Sequence, residues 1–556
     1  MSPGAHGSTG NLDGQSSNPG VQTRLAAVVL LTAVLAAAAV GLVTSKTPRT
    51  AVPAVARRAV RTAVPGAAGA PNLPPAALVP GRRSGPASGA RATLTLGAPV
   101  LRVPRSYFGL STEYWAMPLL ERHMAQFKRI LDLFHWPGDE PLVLRIGGDS
   151  TDHALFDVNV GRLPRALFEL TPQWFRQTGQ VVDQVSARVI LDLNLVDDLP
   201  RMAVQWARAA QTELPPGSIV AYEIGNEPDL YNPLYWSHLL SPLERVLDIR
   251  LFTSGLTPGI YDDLYAQYAQ ALATFAPHVP LAAPVVAYPT IDFDWLDSFL
   301  ARPQRGLAMV TAHMYPYSAC ALPGQPEYPS VAKLLSENAT AGMAASLVPA
   351  INLAHRAGLP FRLTEVNSVT CGGVPGVSDT FATALWAPDA LFELLRRGVN
   401  GVNVHVRAYA VNAAFALGPG GIAVHPLLYG LVLFARTLGP DAELVQTHLR
   451  VGAGVHLKAW VVRVAGNILH VLLIDKGSRG VRVDLSLPAV RRATVERLLA
   501  PTPTARSGVS LDGQRLGAGD TWQGRAATQS IGPGRVGYEL NVPRYSAALL
   551  SVPLAS

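Results

Sequence analysis

Lysine is scarce in this sequence, and cysteine scarcer still. Five lysines stand against forty-one arginines, and the 556 residues hold two cysteines. With alanine abundant, the lysine deficit reads as the coding bias of a GC-rich bacterial genome rather than as chemistry. Two cysteines leave room for one internal disulfide at most. No set of histidines, cysteines and carboxylates converges with ligand spacing, so neither a metal nor another cofactor is expected. The stretch "LRIGGDS" has paired glycines but not G-x-G-x-x-G, which removes the main support for a dinucleotide. Acidic residues are missing altogether from Lys46 to Arg91, where eight basic ones stand. The formal charge of +7 therefore resides in that stretch and the body is close to neutral, so the nucleic-acid partner that a pI near 9.4 invites is not expected.

What is present is apolar. With 49% hydrophobic and 15% charged residues, the chain can bury more than one core, and a large domain with a smaller one is expected. A polar segment, 1–24, precedes the uncharged run 25–45, which has the length of a membrane-spanning helix and reads as a signal peptide or an anchor. Residues 46–92 are rich in Pro, Ala and Arg without periodicity, as in a tether. Five positive residues, Lys46 to Arg61, follow the apolar run and one precedes it, a bias that opposes export of the body. The cysteines, considered below, argue for export.

From residue 93 to 437 short apolar runs alternate with helical patterns. Eight strands are expected, at 107–114, 141–150, 188–195, 218–228, 279–287, 307–317, 359–368 and 398–407. Near-continuous apolar strands, each followed by a helix such as 261–275 or 382–398, imply a parallel sheet covered on both faces. Eight such units predict a closed (β/α)8 barrel, an α/β fold, with an open doubly wound sheet as the alternative. Beyond residue 438 the pattern turns to alternating strands with turn residues, and 438–556 is expected to form an antiparallel β-sandwich. Residues 93–104 are strand-like and are candidates to join it.

In such a barrel the site lies where the strands end. The fourth strand closes "YEIGNEPDLY" with Asn226 and Glu227, and the seventh ends in "LTEVNS" with Glu365. Two carboxylates facing one cavity suit glycoside hydrolysis, in which one donates a proton to the leaving oxygen while the other attacks or activates water. The bland reading of either glutamate is a helix cap or an ion pair with an arginine.

Together, "EIGNEPDLY", "LRIGGDSTD", "TAHMYPYSAC", "LTEVNSVTCGGVPGVSDTFATALW" and the terminal "LNVPRYSAALLSV" resemble glycoside hydrolase family 79, the family of heparanases and β-glucuronidases, over roughly residues 93–556. Asn-Glu-Pro is common to many retaining barrel glycosidases, whereas the Glu365 block with Cys-Gly-Gly and Ser-Asp-Thr is more specific. The resemblance implies a retaining β-glucuronidase acting on a glycan or glucuronide, with Glu227 as general acid/base and Glu365 as nucleophile. The alternatives are an endo-acting, heparanase-like enzyme on uronic-acid polymers, a retaining glycosidase for a neutral sugar, and a glycan-binding protein without catalysis.

The neighbouring residues fit that scheme. Asn226 is placed to bond the sugar 2-hydroxyl. Arg145, ending the second strand, is expected to hold Glu365 ionised, since a nearby cation lowers a carboxylate pKa. His313 and Tyr315, two residues apart on the sixth strand, share a face and line the pocket. Asp152 matches a sugar-contacting aspartate of the family, and Asp149 departs from the asparagine of its bacterial members. Gly372 and Gly373 are expected to offer backbone N–H groups to the sugar carboxylate. Relatives of the heparanase type carry a tyrosine where Thr370 stands. The stretch from Tyr231 to Pro258 is a candidate wall that would narrow the cleft to a pocket. Cys320 and Cys371 lie on loops leaving adjacent strands at one rim, where they either pair or remain free thiols. A disulfide implies an oxidising compartment, so the protein is expected to be extracytoplasmic, secreted or membrane-anchored through 25–45.

Overall fold

The computed structural model describes residues 90–554, apart from 136–139, 159–162, 164–166, 232–254, 277–278, 419, 488–490 and 518–520. The apolar run 25–45, almost all of the 46–92 tether and most of the Tyr231–Pro258 stretch lie outside the described residues. Among those described, no helix is long and apolar enough to cross a membrane.

The first strand, β1 (Arg91–Arg102), precedes the barrel and does not belong to it. Eight βα units follow. The strands are β2 (Phe108–Glu113), β3 (Val143–Gly147), β4 (Arg188–Leu193), β5 (Ile219–Ile224), β6 (Leu281–Val286), β7 (Leu307–Met314), β8 (Phe361–Val366) and β9 (Gly401–His405). The helices that follow them in turn are α1 (Met124–Asp132), α2 (Pro172–Gln184), α3 (Pro200–Glu213), α4 (Pro258–Phe275), α5 (Phe293–Leu300), α6 (Val348–Arg356), α7 (Phe381–Arg396) and α8 (Pro426–Leu438). Neighbouring strands pair in parallel in chain order and β9 closes on β2, so the expected barrel is present, with each of its strands inside the segment read from the sequence. Burial on both faces, by barrel interior and helical ring, is what made the strands unbroken apolar runs. Several helices open on proline, whose fixed φ suits the first turn and whose missing N–H leaves nothing unpaired there. Before two of these, Thr171 and Thr257 cap the helix by accepting from the Trp174 and Ile260 amides.

After α8 the chain enters a β-sheet domain made of β10 (Glu443–Val451), β11 (Leu457–Val464), β12 (Ile468–Asp475), β13 (Val481–Ser486), β14 (Ala493–Leu499), β15 (Tyr538–Val542) and β16 (Ser546–Pro553). Its principal strands pair in the order β14, β16, β12, β11, β10, β1, β13, β15. All of these pairings are antiparallel except β1 with β13. The strand-like segment ahead of the barrel thus inserts between two strands from the far end of the chain. One hydrogen-bonded path runs through all of them, and it curls so that Leu94, Val483 and Leu540 share a core with Val461, Val471 and Leu550.

The barrel and the sheet domain meet across α7, which is buried on nearly every side. Its Asp389 accepts from Trp460 Nε1 at 2.9 Å and pairs with Lys476, while Glu393 pairs with Lys458 at 2.9 Å. Phe392 stacks on Trp460. Two of the five lysines are therefore spent on this seam and none of the residues named below as the site is a lysine.

Candidate active site

The register of the barrel gathers the polar strand ends. Glu365 on β8 stands opposite His313 on β7, His405 on β9 opposite Ser111 on β2, and Ser111 opposite Arg145 on β3. At the centre is Arg145, whose side chain is 0% exposed. Its Nη1 donates to Glu365 Oε1 at 2.8 Å, its Nε to Glu223 Oε2 at 2.7 Å, and its Nη2 to Asp192 Oδ2 at 2.9 Å and Asn226 Oδ1 at 3.1 Å. A guanidinium has five N–H donors in a fixed fork, so this single side chain sets the positions of four acceptors at once.

Glu227 follows β5 in the left-handed region, φ +52°, a conformation that is strained for a residue with a Cβ. Surrounding bonds hold it there. Its amide donates to the Val285 carbonyl at 3.1 Å, and Asp229, two residues on, accepts from the amides of Ala287 and Tyr288 at 2.9 and 3.0 Å. The side chain thereby reaches His313, with Oε1 2.8 Å from Nδ1. Glu365 is held on its other oxygen, Oε2, by the Tyr315 hydroxyl at 2.8 Å and by His405 Nδ1 at 3.2 Å. Carboxylate oxygens of Glu227 and Glu365 and a ring nitrogen of His313 all lie within 4.8 Å of one another.

The two carboxyls, so close, have opposite environments. Burial pushes Glu227 up; the bond to His313 and that ring's charge pull it down, but the negative charges of Glu365 and Asp149 add to burial and the net shift is upward. Burial would also push Glu365 up. There the charges of His405, His313 and Arg145 and the Tyr315 hydrogen bond outweigh it and hold the carboxyl at about 2. The two carboxyls are shifted in opposite directions, Glu227 towards holding its proton and Glu365 towards losing it, which is how an acid and a nucleophile divide such a pair. The clustered Glu227, His313 and Glu365 atoms are engaged with one another and with Arg145 and Tyr315.

Several expected contacts are rearranged. Asp152, read as touching sugar, is wholly buried, and its carboxylate accepts from the Tyr231 hydroxyl, which in turn accepts from the Asn226 amide at 3.2 Å. It supports Asn226 from behind, because the short helix Asp149–Asp152 turns it inward. Arg145 and His313, grouped with the sugar-binding residues, are also at 0% exposure and contact the glutamates instead. Asn226 Oδ1 accepts from Arg145, and the Tyr315 hydroxyl donates to the carboxylate of Glu365. Of the two loop amides, that of Gly373 donates to the Thr370 carbonyl at 3.3 Å and belongs to the turn. Gly373 is needed there for another reason: at φ +85° a Cβ would lie 2.8 Å from Ser378.

Cys320 and Cys371 form a disulfide, Cα atoms 5.9 Å apart. A two-residue parallel pairing of Tyr317–Ser318 with Val369–Thr370 extends the barrel rim and brings the two loops together.

Residues that sequence reasoning passed over complete the ring. Glu113 accepts from the Ser150 amide at 2.9 Å and sits 3.5 Å from His405 Nε2. Arg407 Nη1 lies 3.0 Å from Asp149 Oδ2, above the ring of Trp115. Each stands at or just past the end of a barrel strand, the same signal that singled out Glu227 and Glu365.

The fold and the site define a (β/α)8 barrel with a C-terminal sheet domain and a carboxyl pair across its mouth. No family model matches the sequence, and no curated protein matches it. Solved structures do share the fold. A 4-O-α-L-rhamnosyl-β-D-glucuronidase from Fusarium oxysporum superposes with a TM-score of 0.65 at 16% identity, over 83% of this chain and 100% of that one. A family 51 α-L-arabinofuranosidase from Thermotoga petrophila gives 0.58 at 16%, over 84% and 100%. A bifunctional glucanase-xylanase from a metagenome library gives 0.54 at 13%, over 84% and 99%.

Proposed function

We propose that this chain is a retaining glycoside hydrolase and that its substrate is a β-linked glucuronide. The observation that carries the reading is the approach of the Glu227 and Glu365 oxygens to within 4.8 Å, with one carboxyl raised and the other depressed. Retaining enzymes hold their carboxyls about 5–5.5 Å apart, whereas inverting ones leave about 6.5–9.5 Å for a water. Glu365, ionised, attacks the anomeric carbon as the glycosidic C–O bond breaks and Glu227 passes its proton to the leaving oxygen. The Glu227 carboxylate then takes a proton from water, whose oxygen displaces the ester oxygen of Glu365 and restores both groups. Asn226, fixed by Arg145 and Tyr231, presents its amide to the 2-hydroxyl.

The glucuronidase among the structural neighbours and the Gly372 turn beside the nucleophile support an acidic sugar; the arabinofuranosidase and the glucanase-xylanase keep a neutral sugar as the second reading. The disulfide supports export to an oxidising compartment. The purified protein is expected to release nitrophenol from p-nitrophenyl β-glucuronide, and hydrolysis of the β-glucoside alone would defeat the choice of substrate. Glu365→Ala is expected to abolish turnover and to be rescued by azide with inversion; full activity in that variant would end the double-displacement reading.

A further inference from the structure

The barrel mouth gathers acidic side chains. Glu113, Glu365 and Asp149 lie there beside His313 and His405, and Arg145 is sealed beneath them with its donors committed. An acidic sugar entering such a space meets repulsion unless a cation can turn to it. Arg407, two residues beyond β9, meets that need: its side chain is 37% exposed. Its Nη1 holds the half-buried Asp149 at 3.0 Å, and its Nε lies 3.9 Å from Glu113 Oε1. The ring of Trp115, 5.7 Å from Cζ, supports the guanidinium from one side. A chain of contacts links Arg407 to Glu365: Glu113 lies 3.5 Å from His405 Nε2, and His405 Nδ1 lies 3.2 Å from Glu365 Oε2.

We propose that Arg407 is the specificity-determining residue of this site, receiving the carboxylate of a uronic acid, with Asp149 as the counter-ion that occupies it in the empty pocket. The inference rests on the glycosidase reading and names the substrate class of that same site. Guanidinium and carboxylate are matched for a two-point, charge-assisted contact. Asp149 then acts as a competitor whose removal frees the cation.

Titration of the full-length protein with glucuronic acid and with glucose tests this. Arg407→Gln is expected to weaken glucuronate about 10- to 100-fold more than glucose, the range for a hydrogen bond to a charged group. Asp149→Asn is expected to tighten glucuronate several-fold. Equal losses for both sugars in Arg407→Gln, weaker glucuronate binding in Asp149→Asn, or a wild type with no preference for glucuronate would overturn the assignment. If glucuronate binds through Arg407 but no aryl glycoside is cleaved, the catalytic reading fails and this one stands. Cleavage of neutral glycosides with Arg407→Gln affecting both sugars alike has the reverse meaning.

Discussion

Tyr315→Phe isolates one bond to Glu365, the proposed nucleophile. The hydroxyl donates to Glu365 Oε2 at 2.8 Å, and its oxygen lies 2.8 Å from His405 Nδ1. A hydrogen bond to a charged group contributes about 1.5–3 kcal/mol. That bond is strong while Glu365 is a carboxylate and weak while it is an ester, so its loss acts unequally on the two halves of the reaction. Glycosylation consumes the charge and is spared; deglycosylation regenerates it and loses the stabilisation. At about 1.4 kcal/mol per decade, water attack on the intermediate should slow by about 10- to 100-fold. The lower end is favoured, because His405 Nδ1 at 3.2 Å remains beside the same oxygen. With a nitrophenyl substrate the variant should show a burst equal to the enzyme concentration, a KM that falls with kcat, and intact mass raised by one sugar. A kcat/KM that drops as far as kcat, without a burst, would refute the argument that the tyrosine acts on the departing carboxylate.

The depressed Glu365 and raised Glu227 also fix a pH profile. Activity should persist through the acidic range down toward about 2, where Glu365 protonates, and decline as pH rises through the raised value of Glu227; Glu227→Gln should remove that alkaline limb for activated substrates. Because the folded Glu365 titrates below its ordinary 4.5, its ionisation stabilises the fold above that pH and the contribution, about 3 kcal/mol, is lost as pH falls toward 2, which urea midpoints at pH 5 and pH 2.5 can read. Replacing Cys320 and Cys371 by serine opens a loop of 51 residues and should lower stability by up to about 4 kcal/mol in the chain-entropy model; an unchanged melting temperature would show that the barrel alone fixes these loops.

The barrel was legible because every strand is buried on both faces, so eight apolar runs stood out without any knowledge of their pairing. Glu227 and Glu365 were legible for the same reason: a carboxylate ending such a run is out of place unless it is used. What the sequence could not show is which polar ends meet. His405 and Glu113 belong to strands whose paired residues Val404 and Leu110 are 294 apart in sequence, and only closure of β9 on β2 makes them adjacent. Asp152 was misread because "GGDSTD" gives no sign that Gly148, at φ +75°, starts a helical turn that carries the aspartate inward. The β-rich pattern after residue 438 announced the sheet domain, while the parallel pairing of β1 with β13 left no local trace.

The insertion of β1 between β10 and β13 has a temporal consequence. Ribosomes extend a chain by about 5–20 residues per second, so the segment 91–102 waits roughly 20–70 s before residues 443–451, its first partner, have been made. During that interval the strand has two open edges and the barrel is being assembled beside it. Completion of the sheet is therefore among the last events of maturation, and a ribosome that stops short of residue 443 releases a product with a bare strand ahead of its barrel, a natural target for proteolytic quality control.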